Sequence, residues 1–369
     1  MEQILTIGII IFVGFILGEL AEKIKLPKVT GYILAGVLLN PELSNIIPKN
    51  FVQHTSLITN IALSFITFSV GGSLLFSRIK RLGKSIIYIT VFEAELAFAV
   101  IAIGFFVMGY FFALPTGNSI ALLLSLSLLM GSLGSPTDPS ATLAITHEYR
   151  AKGDVSSTIM GVAAFDDVFG IPNYTIAAVI AGVLITGQKL TFNSIILGPL
   201  VIILGAVILG VVLGFILNSI TYLIDRETEG ALIVVIFSIL LLCFGLASLL
   251  GFDALLSTMA MGATVVNFNK NREKIFSILE RYTEEMIFVL FFTISGMLLD
   301  FYVLSTAYMV IIFFVLFRTV GLWEQDWSFD FQIRQKGEEI CRWRVNPAGR
   351  DRDRFGADDQ AEPGFRWRI

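Results

Sequence analysis

From Phe192 to Leu223 the chain carries no charged side chain, and apolar runs of similar length recur through most of the sequence. An α-helix needs about 20 such residues to cross ~30 Å of hydrocarbon, and inside hydrocarbon it satisfies its own backbone polar groups. Over 369 residues, 55% are hydrophobic and 15% charged, with a mean hydropathy of +0.80. Soluble domains carry about a quarter charged residues. The chain is therefore read as an all-α polytopic membrane protein with the lipid bilayer as its solvent.

Apolar segments fall at about 3–22, 30–41, 55–77, 85–113, 119–146, 155–185, 192–223, 230–250, 253–268, 284–300 and 303–321, about 11 helices. The connections alternate in basic content. Lys23, Lys25 and Lys28 follow the first segment, Arg78, Lys80, Arg81 and Lys84 the third, and Arg150 and Lys152 the fifth. Arg226 follows the seventh, and Lys270, Arg272, Lys274 and Arg281 the ninth. The positive-inside rule then puts the odd connections in the cytoplasm and the N-terminus outside, in a multi-pass protein of a prokaryotic-type plasma membrane. Met1-Glu2-Gln3 opens on a first spanning helix rather than a removable signal, since no basic n-region precedes it. Cys243 and Cys341 suggest neither a disulfide framework nor a metal site.

The fifth segment is interrupted by Gly131-Ser132-Leu133-Gly134-Ser135-Pro136-Thr137-Asp138-Pro139-Ser140. Two prolines and two glycines stop a helix there, inside the membrane. Backbone groups released at depth must be satisfied by protein or water, so such breaks line cavities and point to transporter sites. Asp138 before Pro139 is also an ordinary N-cap and N1 pair, and a half-helix terminus adds its dipole.

Asp166 and Asp167 lie in the apolar stretch from Gly161 to Ile171. A carboxylate at the centre of a span costs on the order of 3 kcal/mol, so ionisable residues there are functional by default. Adjacent residues point about 100° apart on a helix, so one aspartate is expected to face an ion and the other a partner group. Arg318, near the end of its span, is either a snorkelling interfacial arginine or a charge partner. Glu93 and Glu95 are further intramembrane candidates without an evident partner, Asp253 reads as a cap, and His147 and His54 read as surface residues. No phosphate loop, zinc spacing or nucleophile triad is present, so no enzyme activity, cofactor, resident metal or nucleic-acid partner is expected.

Thr137-Asp138-Pro139 in a broken helix, followed by Phe165-Asp166-Asp167, resembles the sodium/hydrogen exchanger domain of monovalent cation/proton antiporters. The run from Leu26 to Gly36, with Leu-Pro and then Gly-Tyr-x-x-x-Gly, is similar to that family's second helix. The resemblance covers about residues 1–321. It implies inverted repeats with broken crossing helices, a homodimer, and alternating-access exchange of a cation for protons. It assigns ion and proton binding to Asp166 and Asp167, site lining to Thr137 and Asp138, and the role of charge partner to Arg318. The family's electrogenic branch often has lysine at that last place, and arginine is not expected to release a proton.

Residues 322–369 differ in kind. They hold 9 of the 26 Lys and Arg, 10 of the 30 Asp and Glu, and all four tryptophans. Read one base later with suitable synonymous codons, Asn346 to Asp359 becomes an apolar span with a Pro-Gln-Gly-Gly break, similar to the family's second crossing helix. The domain reading is thus a transmembrane antiporter domain at 1–321 and an out-of-frame, disordered tail at 322–369, which leaves the second repeat incomplete. The alternative is a genuine soluble tail rich in Arg and Asp, and verified DNA with an intact frame would count heavily against the frameshift. The expected function is exchange of Na⁺ or K⁺ for H⁺. The alternatives are a cation channel or regulator on the same scaffold, or a non-functional fragment.

Overall fold

The computed structural model describes residues 3–52, 54–112, 119–151, 154–186, 197–223 and 229–321. The tail at 322–369 lies outside the described residues. Among the described residues every regular element is helical. The chain runs through α1 (Gln3–Lys23), α2 (Lys28–Leu39), a single turn α3 (Lys49–Val52), α4 (Ser56–Gly72) and α5 (Phe76–Phe112). Then come α6 (Ile120–Leu133), α7 (Pro139–Glu148), α8 (Asp154–Thr186) and α9 (Gly198–Leu223). Last are α10 (Glu229–Leu250), α11 (Ala254–Phe268), α12 (Arg272–Tyr282), α13 (Glu284–Met297), α14 (Phe301–Thr306) and α15 (Tyr308–Gly321).

The apolar segments reappear as these helices, with two refinements. The fifth is divided into α6 and α7, as its prolines and glycines require, and the last is divided at Ala307. The connection expected between 269 and 283 instead contains α12, whose Ile275, Ile278 and Leu279 are buried at helical spacing beneath a charged outer face. Caps sit where short polar side chains allow. Asp253 accepts from the Leu256 N–H at 2.7 Å and Asp300 from the Val303 N–H at 2.9 Å. Gly251, at φ +73°, ends α10 in the left-handed region that favours glycine.

Among the described residues, five stretches are long and apolar enough to cross a membrane: Gln3–Lys23, Tyr88–Phe111, Thr158–Ile185, Gly198–Tyr222 and Glu229–Leu250. Their outer faces remain apolar. Phe12, Ile208 and Leu249 are 66%, 62% and 81% exposed, which suits hydrocarbon and not water. The protein is a multi-pass integral membrane protein.

Three layers of packing position the site. The first has α2 between α1 and α13, the second has α11 against α9, α4 and α10, and the third has α6 between α5 and α8. Helices in lipid gain little from hydrophobic association with each other, so close approach through small residues matters more. A Cβ on Gly36 would run into the Thr293 carbonyl, and one on Gly296 would lie 2.5 Å from the Ile33 carbonyl, so α2 and α13 touch backbone to backbone. Gly71 and Gly262 bring α4 and α11 together in the same way, and a buried Thr67–Thr258 hydroxyl pair at 2.6 Å fastens that seam.

Candidate functional site

Between α6 and α7 the backbone leaves the helix for five residues, Gly134 to Asp138. The C-terminal end of one half-helix and the N-terminal end of the other thus face each other, with partial charges of opposite sign. Asp138 caps α7, accepting the Ser140 N–H at 2.8 Å, and Pro139 occupies the first helical position. The expected capping role is met, and the Asp138 side chain is exposed.

Asp166 lies across the break, on α8, and is fully buried. Its Oδ2 accepts the Thr137 backbone N–H at 2.8 Å, while Oδ1 is buried with no hydrogen-bond partner among the described residues. Close approach is possible because Gly170, one turn on, faces Pro136: an added Cβ there would lie 3.1 Å from the proline ring. The Asp167 side chain lies outside the described residues.

Thr137 is the centre of the arrangement. Its hydroxyl donates to Glu93 Oε1 on α5 at 3.0 Å and accepts from Arg318 Nη2 on α15 at 2.6 Å. Arg318 Nη1 donates to the Ser135 carbonyl at 3.2 Å, and the guanidinium lies 3.8 Å from Glu93. A fixed positive charge therefore stands beside the carbonyl end of α6, where the helix dipole favours it. Arg318 does not simply snorkel to the interface: its side chain is 16% exposed and turns inward to the break. Aromatic packing of Phe314 and Phe317 against Phe105 seats α15 on α5.

Two residues extend the network beyond the sequence expectation. Glu93, 5% exposed, gains Thr137 and Arg318 as partners. Asn173, two turns after Asp166 on α8, donates to Ser135 Oγ at 3.1 Å and to Glu95 Oε1 at 3.3 Å. Ser135 Oγ in turn donates to the Ala94 carbonyl at 3.0 Å. The seven-residue spacing of Asp166 and Asn173 was the available signal, since it places both on one helix face. Polar groups so buried are costly unless mutually satisfied, and here nearly all are. The exception is Asp166 Oδ1, an acceptor free to take a proton or a cation. No cluster of three or more His, Cys, Asp or Glu suited to a resident metal occurs among the described residues.

Comparison with known proteins bears on the same region. The profile of the family described as sodium/hydrogen exchanger, transmembrane, matches residues 8–337. A Na(+)/H(+) antiporter 1 of Methanocaldococcus jannaschii is 22% identical over 239 residues, covering 65% of this chain and 53% of that protein. The chain thus spans about half the length of that relative. The ammonium/H(+) antiporter subunit AmhT of Alkalihalophilus pseudofirmus is 23% identical over 304 residues, 81% of this chain and 71% of its own length. The solved structure of the sodium proton antiporter MjNhaP1, also from M. jannaschii, superposes with a TM-score of 0.65 at 20% identity, over 88% of this chain and 78% of that one. The fold is that antiporter fold, and the chain belongs to the transmembrane sodium/hydrogen exchanger family.

Proposed function

We propose that the protein is a secondary antiporter that exchanges a monovalent cation, Na⁺ or K⁺, for protons. The observation that carries this is Asp166: a fully buried carboxylate at a helix break, with one oxygen held by Thr137 and the other unclaimed. A cation and a proton compete for one such oxygen, and competition at a single group is the simplest coupling between two fluxes. Asp167 is assigned the second ionisable role beside it. Thr137 and Asp138 line the site, and Arg318 is its permanent charge partner. The names of the relatives support the cation/proton class, and AmhT extends the candidates to ammonium.

The same proposal includes a homodimer, an N-terminus on the outer side of a prokaryotic-type plasma membrane, and alternating access. Residues 322–369 are taken as out of frame, so the full activity is assigned to the chain with its frame restored. Purified protein, as written and with the frame restored, would be placed in liposomes carrying a pH-sensitive dye under an imposed proton gradient. Addition of Na⁺ or K⁺ is expected to collapse the gradient for the restored chain, and Asp166→Asn with Asp167→Asn to abolish the response. Retained exchange in that double variant would refute the site. Cation flux without proton counterflux would make the protein a channel.

A further inference from the structure

Two carboxylates on α5 meet the broken helix in different ways. Glu93 has Thr137 and the permanent charge of Arg318 as partners. Glu95, two residues on, points about 200° away from it and reaches α8 instead. There it accepts from Asn173 Nδ2 at 3.3 Å, its only hydrogen bond among the described residues. Among those residues no Lys, Arg or His lies within ion-pair distance of Glu95. Yet Glu95 falls inside the apolar span Tyr88–Phe111. A carboxylate at such depth is retained only with a partner, and a neutral amide does not balance its charge. Glu95 is exposed whereas Asp166 is fully buried, so it is the more open of the two to an arriving ion.

Asn173 is 9% exposed and spends both amide hydrogens at one place, with Nδ2 3.3 Å from Glu95 Oε1 and 3.1 Å from Ser135 Oγ. Ser135 is fully buried. Its own proton is committed to the Ala94 carbonyl at 3.0 Å, which holds its lone pairs toward Asn173. The NH2 group, the positive end of the amide dipole, thus occupies a point where an anionic and a neutral oxygen converge. Ser135 also follows the carbonyl end of α6, where the helix dipole favours positive charge. Carboxylate, hydroxyl and dipole all select a cation there, and an amide is a weak occupant.

We propose that Glu95, Ser135 and Asn173 form a second site for a monovalent cation, with the Asn173 amide holding the place of the ion between bindings. A half-turn of the amide withdraws the NH2 and presents Oδ1. The ligands are then three oxygens of different kinds, carboxylate, hydroxyl and amide carbonyl. One Na⁺, K⁺ or ammonium ion neutralises Glu95, whereas a divalent ion would find no second carboxylate to balance it. Ser135 is two residues from Thr137, and its carbonyl holds Arg318 Nη1 at 3.2 Å, so occupancy is felt in the loop that binds Asp166. The site serves as a waiting place for the cation that Asp166 exchanges. In that role it rests on the antiporter reading, but its occupancy can be measured without transport.

A hydrophobic carbodiimide modifies carboxyl groups within apolar spans, and mass spectrometry locates the product. The chain in lipid nanodiscs would be labelled in sodium, potassium, ammonium or choline chloride at equal ionic strength. At a concentration about ten times its dissociation constant, a small cation should lower Glu95 labelling about tenfold. Choline, too bulky for three converging oxygens, should not. Labelling that is equal in all four salts would overturn the site. Asp166→Asn should leave the protection in place. Its loss there would show that Glu95 only follows occupancy at Asp166, and would overturn a second site. If size exclusion shows that variant to be misfolded, Asn173→Asp decides: the added carboxylate should lower the half-protecting concentration, and an unchanged or higher value overturns the site. Cation-protected Glu95 in a frame-restored protein that exchanges no cation would sink the antiporter proposal and leave this site standing. Exchange with Glu95 unprotected would do the reverse.

Discussion

Thr137, in the gap between two half-helices, donates its backbone N–H to Asp166 Oδ2 of the neighbouring α8 at 2.8 Å. The bond uses the main chain, so it does not depend on the threonine side chain. It also leaves that hydroxyl free to join Glu93 and Arg318. One residue therefore fixes a carboxylate with its backbone and a charge pair with its side chain.

Asp166→Asn keeps an acceptor for that N–H but puts an NH2 where Oδ1 has no partner, so the fold should lose about 1–3 kcal/mol. The site should lose its cation. Ligand binding raises stability by about 2.7 kcal/mol at a ligand concentration a hundred times the dissociation constant. Thermal melts in detergent should show Na⁺- or K⁺-dependent stabilisation for the wild type and none for the variant. Equal stabilisation of both would remove Asp166 from the site.

Arg318→Gln should be destabilising out of proportion to one lost hydrogen bond, because it leaves Glu93 buried without a cation. Breaking a buried pair from one side costs about 3–5 kcal/mol, whereas replacing both members is much milder. The double variant Arg318→Gln, Glu93→Gln should therefore recover much of the loss. Denaturant melts of the four proteins in a double-mutant cycle measure this coupling, and strict additivity would refute the pairing.

Burial lowers the pKa of His147, but its hydrogen bond to Glu284 and the charges of Glu284 and Glu280 outweigh it, and the raised value has a definite sign in stability. The folded chain binds this proton more tightly than the unfolded one. The contribution is complete below the ordinary imidazole value of about 6.5 and is lost as pH rises through the higher folded value. Wild type should therefore melt above His147→Gln in mild acid, and the two curves should converge in mild alkali. A gap that widened with pH would show the opposite linkage.

Gly36→Leu should prevent α2 from reaching α13, since even a Cβ at this position meets the Thr293 carbonyl. The cost expected from overpacking is at least about 1–3 kcal/mol, and more where backbone must move. Gly245 has open space around it, so Gly245→Ala should be neutral or stabilising by up to about 1 kcal/mol through helix propensity. Size-exclusion profiles and melting temperatures of the two variants distinguish a packing seam from a general intolerance of glycine replacement.

Much of this was legible in sequence because membrane spans and helix breaks are local signals. Apolar length located the helices, Pro136 and Pro139 located the break, and Asp138 and Asp253 announced themselves as caps. Pairings over long separations were not legible. Glu93 seemed partnerless because its hydroxyl donor lies 44 residues away, on a loop that only packing brings to α5. His147 was read as a surface residue for the same reason: Glu284 is 137 residues distant. The helix α12 was hidden by its own charges, its three buried residues being too few to raise the hydropathy of the stretch. Asn173 had a readable spacing from Asp166, but a single amide carries little signal without knowledge of what faces it.

The glycine seams between α2 and α13 and between α4 and α11 have an evolutionary side. Where backbone meets backbone, the crossing is set by the absence of side chains, and the residues on either side need only be apolar and of tolerable size. Such a joint places almost no information in the sequence around it. A protein framed this way can exchange most of its lipid-facing and filler residues without moving its helices, which agrees with a TM-score of 0.65 to MjNhaP1 at only 20% identity. The architecture is cheap to inherit, and the positions that cannot drift are few.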